Sequence, residues 1–198
     1  MSKEWLGDRE RALENEYFRR RDQELIQKLR EEGRIERERQ QIGERLGTVD
    51  DRLPAKLQKL GFWADGLALL HLVPLIDVAW ADKGVTQRER DLVLALAERR
   101  GVTADSPERD QLVTWLTQRP DQHVFDTAYE AIRTLLAHDT KTGRATTQQE
   151  LVDMSTQVAE ATGGILGMMP VSRGERECLD RISDVLTAPD GGLPSDAN

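Results

Sequence analysis

The sequence predicts an all-α fold: one long, exposed N-terminal helix followed by a bundle of about six to seven amphipathic helices. Three observations predict it. Residues 1–47 are dominated by Glu, Arg, Gln, Leu and Lys, all good helix formers, and no proline occurs before Pro54. Beyond them, helix-start signals recur, each followed by apolar residues at helical spacing. No stretch alternates apolar and polar residues as a half-buried strand would.

Taken in order, the first element is a helix over roughly 8–42, with Asp8 as its cap, Glu10 near the positive end of its dipole and a loosening at Gly33. The most apolar helix carries Leu69, Leu70, Val73, Ile76 and Trp80, and Pro74 is expected to kink it. "TQRE" at 86–89, "TQQE" at 147–150 and "SRGE" at 172–175 each fit a capping box, in which a hydroxyl and a glutamate satisfy each other's orphan amides. "DSPE" at 105–108 and "RPD" at 119–121 supply two more starts. Behind these signals stand Leu92, Val93, Leu96 and Ala97, then Val124, Ala128, Ile132, Leu135 and Leu136, then Leu179, Ile182, Val185 and Leu186. The organisation expected is a charged arm over 1–47, a bundle over 48–188 and a disordered tail over 189–198.

Charge and composition narrow the function. Residues 1–47 hold twelve acids and twelve bases; the remaining 24 acids and 16 bases give the net charge of −8. With a pI near 5.0 and no dominant basic face, a nucleic-acid binder is not expected. The one cysteine, Cys178, removes disulfide frameworks and thiolate metal clusters. The opening lacks a signal-peptide core, and nowhere do about 18 apolar residues run together, so the expectation is a soluble, cytoplasmic protein that does not span a membrane. His71, His123 and His138 are scattered without ligand spacing, and "TGGILG" has neither a preceding strand nor a following lysine. An enzyme is not expected.

Residues 75–102 and 162–186 read as two weak copies of one unit: apolar helix, glycine-containing turn, capping box, amphipathic helix. That arrangement, over about residues 60–187, resembles the TerB-like helical family associated with tellurite resistance and stress response. The resemblance implies a divalent metal, calcium first, held by acidic residues at the turns; the matching positions are Asp77, Asp82 and Glu89, with Glu175 in the second copy. The same residues have structural work available, Glu89 and Glu175 in capping boxes and Asp82 in a turn.

The arm raises a separate question, because Tyr17 and Phe18 sit side by side in the charged run "ENEYFRRR". At about 100° per residue, Leu6, Leu13 and Tyr17 form one stripe, and Phe18, Leu25 and Leu29 form another about 120° away. Two apolar faces interleaved with Arg9, Glu10, Glu14, Arg19 and Glu24 fit a helix gripped from both sides by a cleft between protein surfaces. The run "LGDRERALENEYFRRRDQELIQKLRE" is similar, without gaps, to the inhibitory segment of the mitochondrial F-type ATPase inhibitor family, and less closely to the small inhibitor subunits of alphaproteobacterial ATPases. Matching positions are Gly7, Arg9, Glu10, Ala12, Glu14, Tyr17, Phe18, Arg19, Glu24, Ile26 and Leu29; Leu6 stands for a phenylalanine and Leu13 for a glutamate. The resemblance implies a helix that enters a catalytic α/β interface of the ATP synthase head and stops ATP hydrolysis. The family's histidine-bearing coiled coil is missing here: residues 31–47 contain no histidine and a globular bundle follows. Two alternatives stand beside an ATPase inhibitor. One is a TerB-like stress or metal-responsive module with a recruiting helix. The other is a solvated or self-associating arm, which leaves homo-oligomerisation open, with Tyr17 and Phe18 folded back on the bundle.

Overall fold

The structure, a computed structural model, describes residues 2–82, 84–142, 148–161 and 171–187, with side chains from Glu16 onward except for 139–142. The described residues form α-helices and one 3₁₀ helix, and no strand is present among them. In chain order they are α1 (Ser2–Leu46), α2 (Arg52–Lys59), a 3₁₀ helix (Asp65–Leu72), α3 (Val73–Ala79), α4 (Gln87–Arg99), α5 (Pro107–Thr117), α6 (Gln122–Thr142), α7 (Gln148–Ala161) and α8 (Arg173–Thr187). The all-α expectation is met. Residues 189–198, expected as a disordered tail, lie outside the described residues, as do "TGGILG" and Thr147 of the "TQQE" box.

Helix α1 starts six residues earlier and ends four later than the expected 8–42. Asp8 therefore lies within the helix and not at its cap, and the chain stays helical through Gly33. Its first described stretch, Glu16–Glu32, is exposed throughout. From Ile35 the helix docks: Ile35, Glu38, Arg39, Ile42, Gly43 and Leu46 turn inward at helical spacing, with Ile42 and Leu46 completely buried. Gln58 donates to the Ile35 carbonyl at 2.9 Å, Ala64 N–H to Glu38 at 3.3 Å, and Arg45 to Asp65 at 2.8 Å and to the Ala64 carbonyl. Polar ties thus flank a short apolar seam against α2 and the turn after it.

Gly47 ends the helix at φ +68°, with the amide of Thr48 donating to the Gly43 carbonyl at 3.0 Å and that of Gly47 to the Glu44 carbonyl at 3.2 Å. This Schellman closure satisfies the last carbonyls and needs a residue tolerant of the left-handed region. His138 of α6 lies over the same glycine: a Cβ there would sit 2.0 Å from its Nδ1. The His138 ring thus covers the α1 terminus.

At the centre lies α3, all seven of whose residues are buried. A helix that is apolar almost all round has no solvent face to present, and α3 is packed by the 3₁₀ helix, α4, α5, α6, α7 and α8. The expected kinked helix is in fact two elements. The 3₁₀ helix runs to Leu72, and Pro74 occupies the first turn of α3, where its missing amide has no intrahelical partner to lose.

Candidate functional site

Two sets of residues were singled out by sequence, and the structure treats them differently. The arm set lies along α1. Leu6, Arg9, Glu10, Leu13 and Glu14 are on helical backbone, but their side chains lie outside the described residues. Tyr17 and Phe18 are each 60 % exposed, with ring centroids 5.8 Å apart at an interplanar angle of 72°. That edge-to-face geometry is the favoured one for two aromatics. Leu25, Ile26 and Leu29 are exposed as well, and Arg19 and Glu24 share the same open stretch. Tyr17 and Phe18 are not folded back on the bundle.

A helical register relates the free and docked parts of α1. Tyr17 and Ile35 are separated by 18 positions, which is about five whole turns and about 27 Å of rise. The stripe to which Tyr17 belongs therefore continues into the docking seam of Ile35, Ile42 and Leu46. The Phe18 stripe has no such continuation.

The acidic set does not converge. Asp77, the one charge in α3, is 1 % exposed; it accepts from the Tyr129 hydroxyl at 3.0 Å and from Arg181 at 2.8 Å, and Arg119 stands 3.8 Å away. Asp82 accepts from the Ser172 hydroxyl at 2.8 Å. Glu89 accepts from the Thr86 amide at 2.6 Å and donates its own amide to the Thr86 hydroxyl, completing the expected capping box. Glu175 does the same with Ser172 at 2.7 and 3.0 Å. Among the described residues no three His, Cys, Asp or Glu side chains gather as a metal site. The bond from Ser172 to Asp82 joins the two copies of the repeated unit, and the contact is close, because a Cβ on Gly174 would lie 2.8 Å from the Ala81 carbonyl oxygen.

The hub around Asp77 was not anticipated. Its members come from α3, the α5–α6 turn, α6 and α8, and only packing brings them together. Burial raises the Tyr129 hydroxyl pKa well above its ordinary value, and the Asp77 charge raises it further. Burial likewise pushes the Cys178 thiol up to about 11, again helped by Asp77. Cys178 is therefore a neutral thiol at physiological pH and a poor nucleophile. The sequence did contain one signal for the hub: a lone aspartate in "LIDVAW" needs a cationic or hydroxyl partner if its helix is central.

Among the described residues no helix is long and apolar enough to cross a membrane. Comparison with known proteins gives no matching family model, no matching curated protein and no matching solved structure.

Proposed function

We propose that this chain inhibits ATP hydrolysis by an F-type ATP synthase, inserting its N-terminal helix at a catalytic α/β subunit interface while the bundle regulates access. The observation that supports this reading is the free segment Glu16–Glu32, exposed along its whole length and carrying Tyr17, Phe18, Leu25, Ile26 and Leu29 among charges. An aromatic pair on a charged, preformed helix is the composition of an interface anchor. In the complex, desolvation of each ring supplies about 2 kcal/mol, and Arg9, Glu10, Glu14, Arg19 and Glu24 hold the register. A rigid helix wedged in a cleft that must open and close stops turnover without any bond being made or broken by the inhibitor. The reading places the chain in the bacterial cytoplasm, facing the ATPase head.

The test is ATP hydrolysis by a purified bacterial ATPase head in the presence of the full chain. Inhibition at micromolar concentration is expected, and the double variant Tyr17→Ala/Phe18→Ala should weaken it by about a thousandfold if both anchors are lost. An unchanged rate with the wild-type chain would sink the proposal.

A second reading, a TerB-like stress-response module whose arm only recruits a complex, is favoured by the Ser172–Asp82 bond that couples the two repeated units. It keeps the arm as a docking element and expects no inhibition, so the hydrolysis assay divides the two. Calorimetry with calcium tests the metal that the TerB-like resemblance implies.

A further inference from the structure

Phe18, Leu25, Ile26 and Leu29, all exposed, share a sector of the α1 surface about 100° wide. Tyr17 falls outside it, about 80° beyond Leu25 and in line with the docking seam. One acid, Asp22, lies within the sector. Both edges are basic: Arg19 and Arg30 follow Ile26 on one side, Arg21 and Lys28 follow Leu25 on the other, each within about 60° of the edge residue. Glu16, Glu24 and Glu31 are on the far side, about 130° or more from the centre of the sector. Among the described residues Arg19, Arg21 and Arg30 form no ion pair. Glu32 stands toward the root, 4.0 Å from Lys28. An exposed contact of that kind is worth at most about 1 kcal/mol, so a carboxylate of a partner can replace it. The charges of the free stretch are thus sorted by face, with an apolar strip running between two cationic edges.

We propose that this sector seats in an apolar groove with acidic edges on a partner protein, with Phe18 as the anchor and Tyr17 outside the groove. The inference rests on the arm being an element that docks on protein, and it names the chemistry of the wall that Phe18 meets. An amphipathic helix laid in a groove gains affinity from its apolar face and orientation from its flanking charges. A second copy of the chain does not supply such a groove: the exposed large apolar residues of its described bundle, Val49, Trp63 and Val113, stand on separate elements. Arm against arm would set one cationic edge on another in either direction. An anionic bilayer gains little either, because Glu16–Glu32 holds five acids and five bases and has no net charge to be attracted. A groove, unlike a bilayer, reads the edges separately from the back of the helix.

The probe is a synthetic two-helix hairpin with a leucine-lined groove edged by glutamates, set against the same hairpin edged by lysines, each titrated with the full-length protein. The glutamate-edged hairpin should bind at micromolar concentration, at least about tenfold tighter than the lysine-edged one, and the difference should shrink in high salt. Phe18→Ala should weaken that binding about tenfold and Tyr17→Ala by less than about twofold. Arg19→Glu and Arg20→Glu make the same charge change on adjacent residues, but only Arg19 borders the sector, so only Arg19→Glu should weaken binding several-fold. All four substitutions fall in the exposed stretch, and each variant should melt as the wild type does. The proposal is overturned by equal binding to the two hairpins, by no binding at about a hundred micromolar, by equal losses from Phe18→Ala and Tyr17→Ala or from Arg19→Glu and Arg20→Glu, or by tighter attachment to phosphatidylserine vesicles than to the glutamate-edged hairpin. Unchanged hydrolysis by the ATPase head would sink the inhibitor reading alone, because the hairpins report only the chemistry of the face.

Discussion

Residues 16–32 and 35–46 belong to one unbroken helix, carry similar densities of Arg and Glu, and meet opposite fates: the first stays in solvent and the second is fastened to the bundle. Helix propensity does not separate them. What does is a seam of three aliphatic residues, Ile35, Ile42 and Leu46, with Gly43 set close against Pro54 and the Thr48 carbonyl. The free half has more large apolar side chains, but they are spread over more than one face, so no single surface can cover them all. Placement, more than hydrophobic content, decides whether a charged helix docks.

That contrast can be broken most strongly from the docked side. Ile42→Ala or Leu46→Ala, each at a fully buried position, should cost about 3 kcal/mol in urea unfolding, through lost burial and the cavity left behind.

A second test asks whether the bundle's own stability has a limit that the arm does not share. Burial favours the neutral Cys178 thiol, so the folded protein holds that proton to higher pH than the unfolded chain does. The resulting stabilisation is complete below the ordinary pKa of 9.0 and is lost as pH rises through about 11. Buried Tyr129 titrates in the same sense. Unfolding free energy should fall by roughly 2 kcal/mol across this window, and Cys178→Ala should flatten the slope.

Smaller effects belong to the junction and the free half. Gly33 has ordinary space for a Cβ, whose nearest neighbour would be Arg37 at 3.6 Å. Gly33→Ala should therefore stabilise the chain by about 0.5–1 kcal/mol, seen as a higher melting temperature and slower amide exchange around residue 33. Least of all, Tyr17→Ala/Phe18→Ala should shift unfolding by less than about 0.5 kcal/mol, because neither ring supports the core. A larger loss would mean that the free half is held by the bundle after all.

Much of the fold was legible because its signals are local. The boxes at Thr86 and Ser172 and the start at Ser106–Pro107 act within a single turn, and each appears where its residues predict it. Positions depending on distant partners were not legible. Pro74 reads as a kink until the preceding residues are known to be 3₁₀; Asp77 reads as a turn-proximal ligand until Arg181, far along the chain, reaches it. The docking seam was readable in principle, since Ile35, Ile42 and Leu46 recur at intervals of seven and four, but the denser apolar residues upstream drew the reading toward the arm. For the candidate site, sequence located the exposed aromatic pair and said nothing of the hub that packing builds around Asp77.

Continuity through residue 33 has a mechanical consequence. The projecting part of α1, residues 2–32, spans about 46 Å as a helix, and the seam that holds its root covers barely three turns. A tilt of about 10° at that root, small enough for side chains to follow without unpacking, carries the far tip through about 8 Å. The bundle can thus aim the tip by adjusting one short joint, so whatever stiffens or slackens that joint sets where the tip can reach.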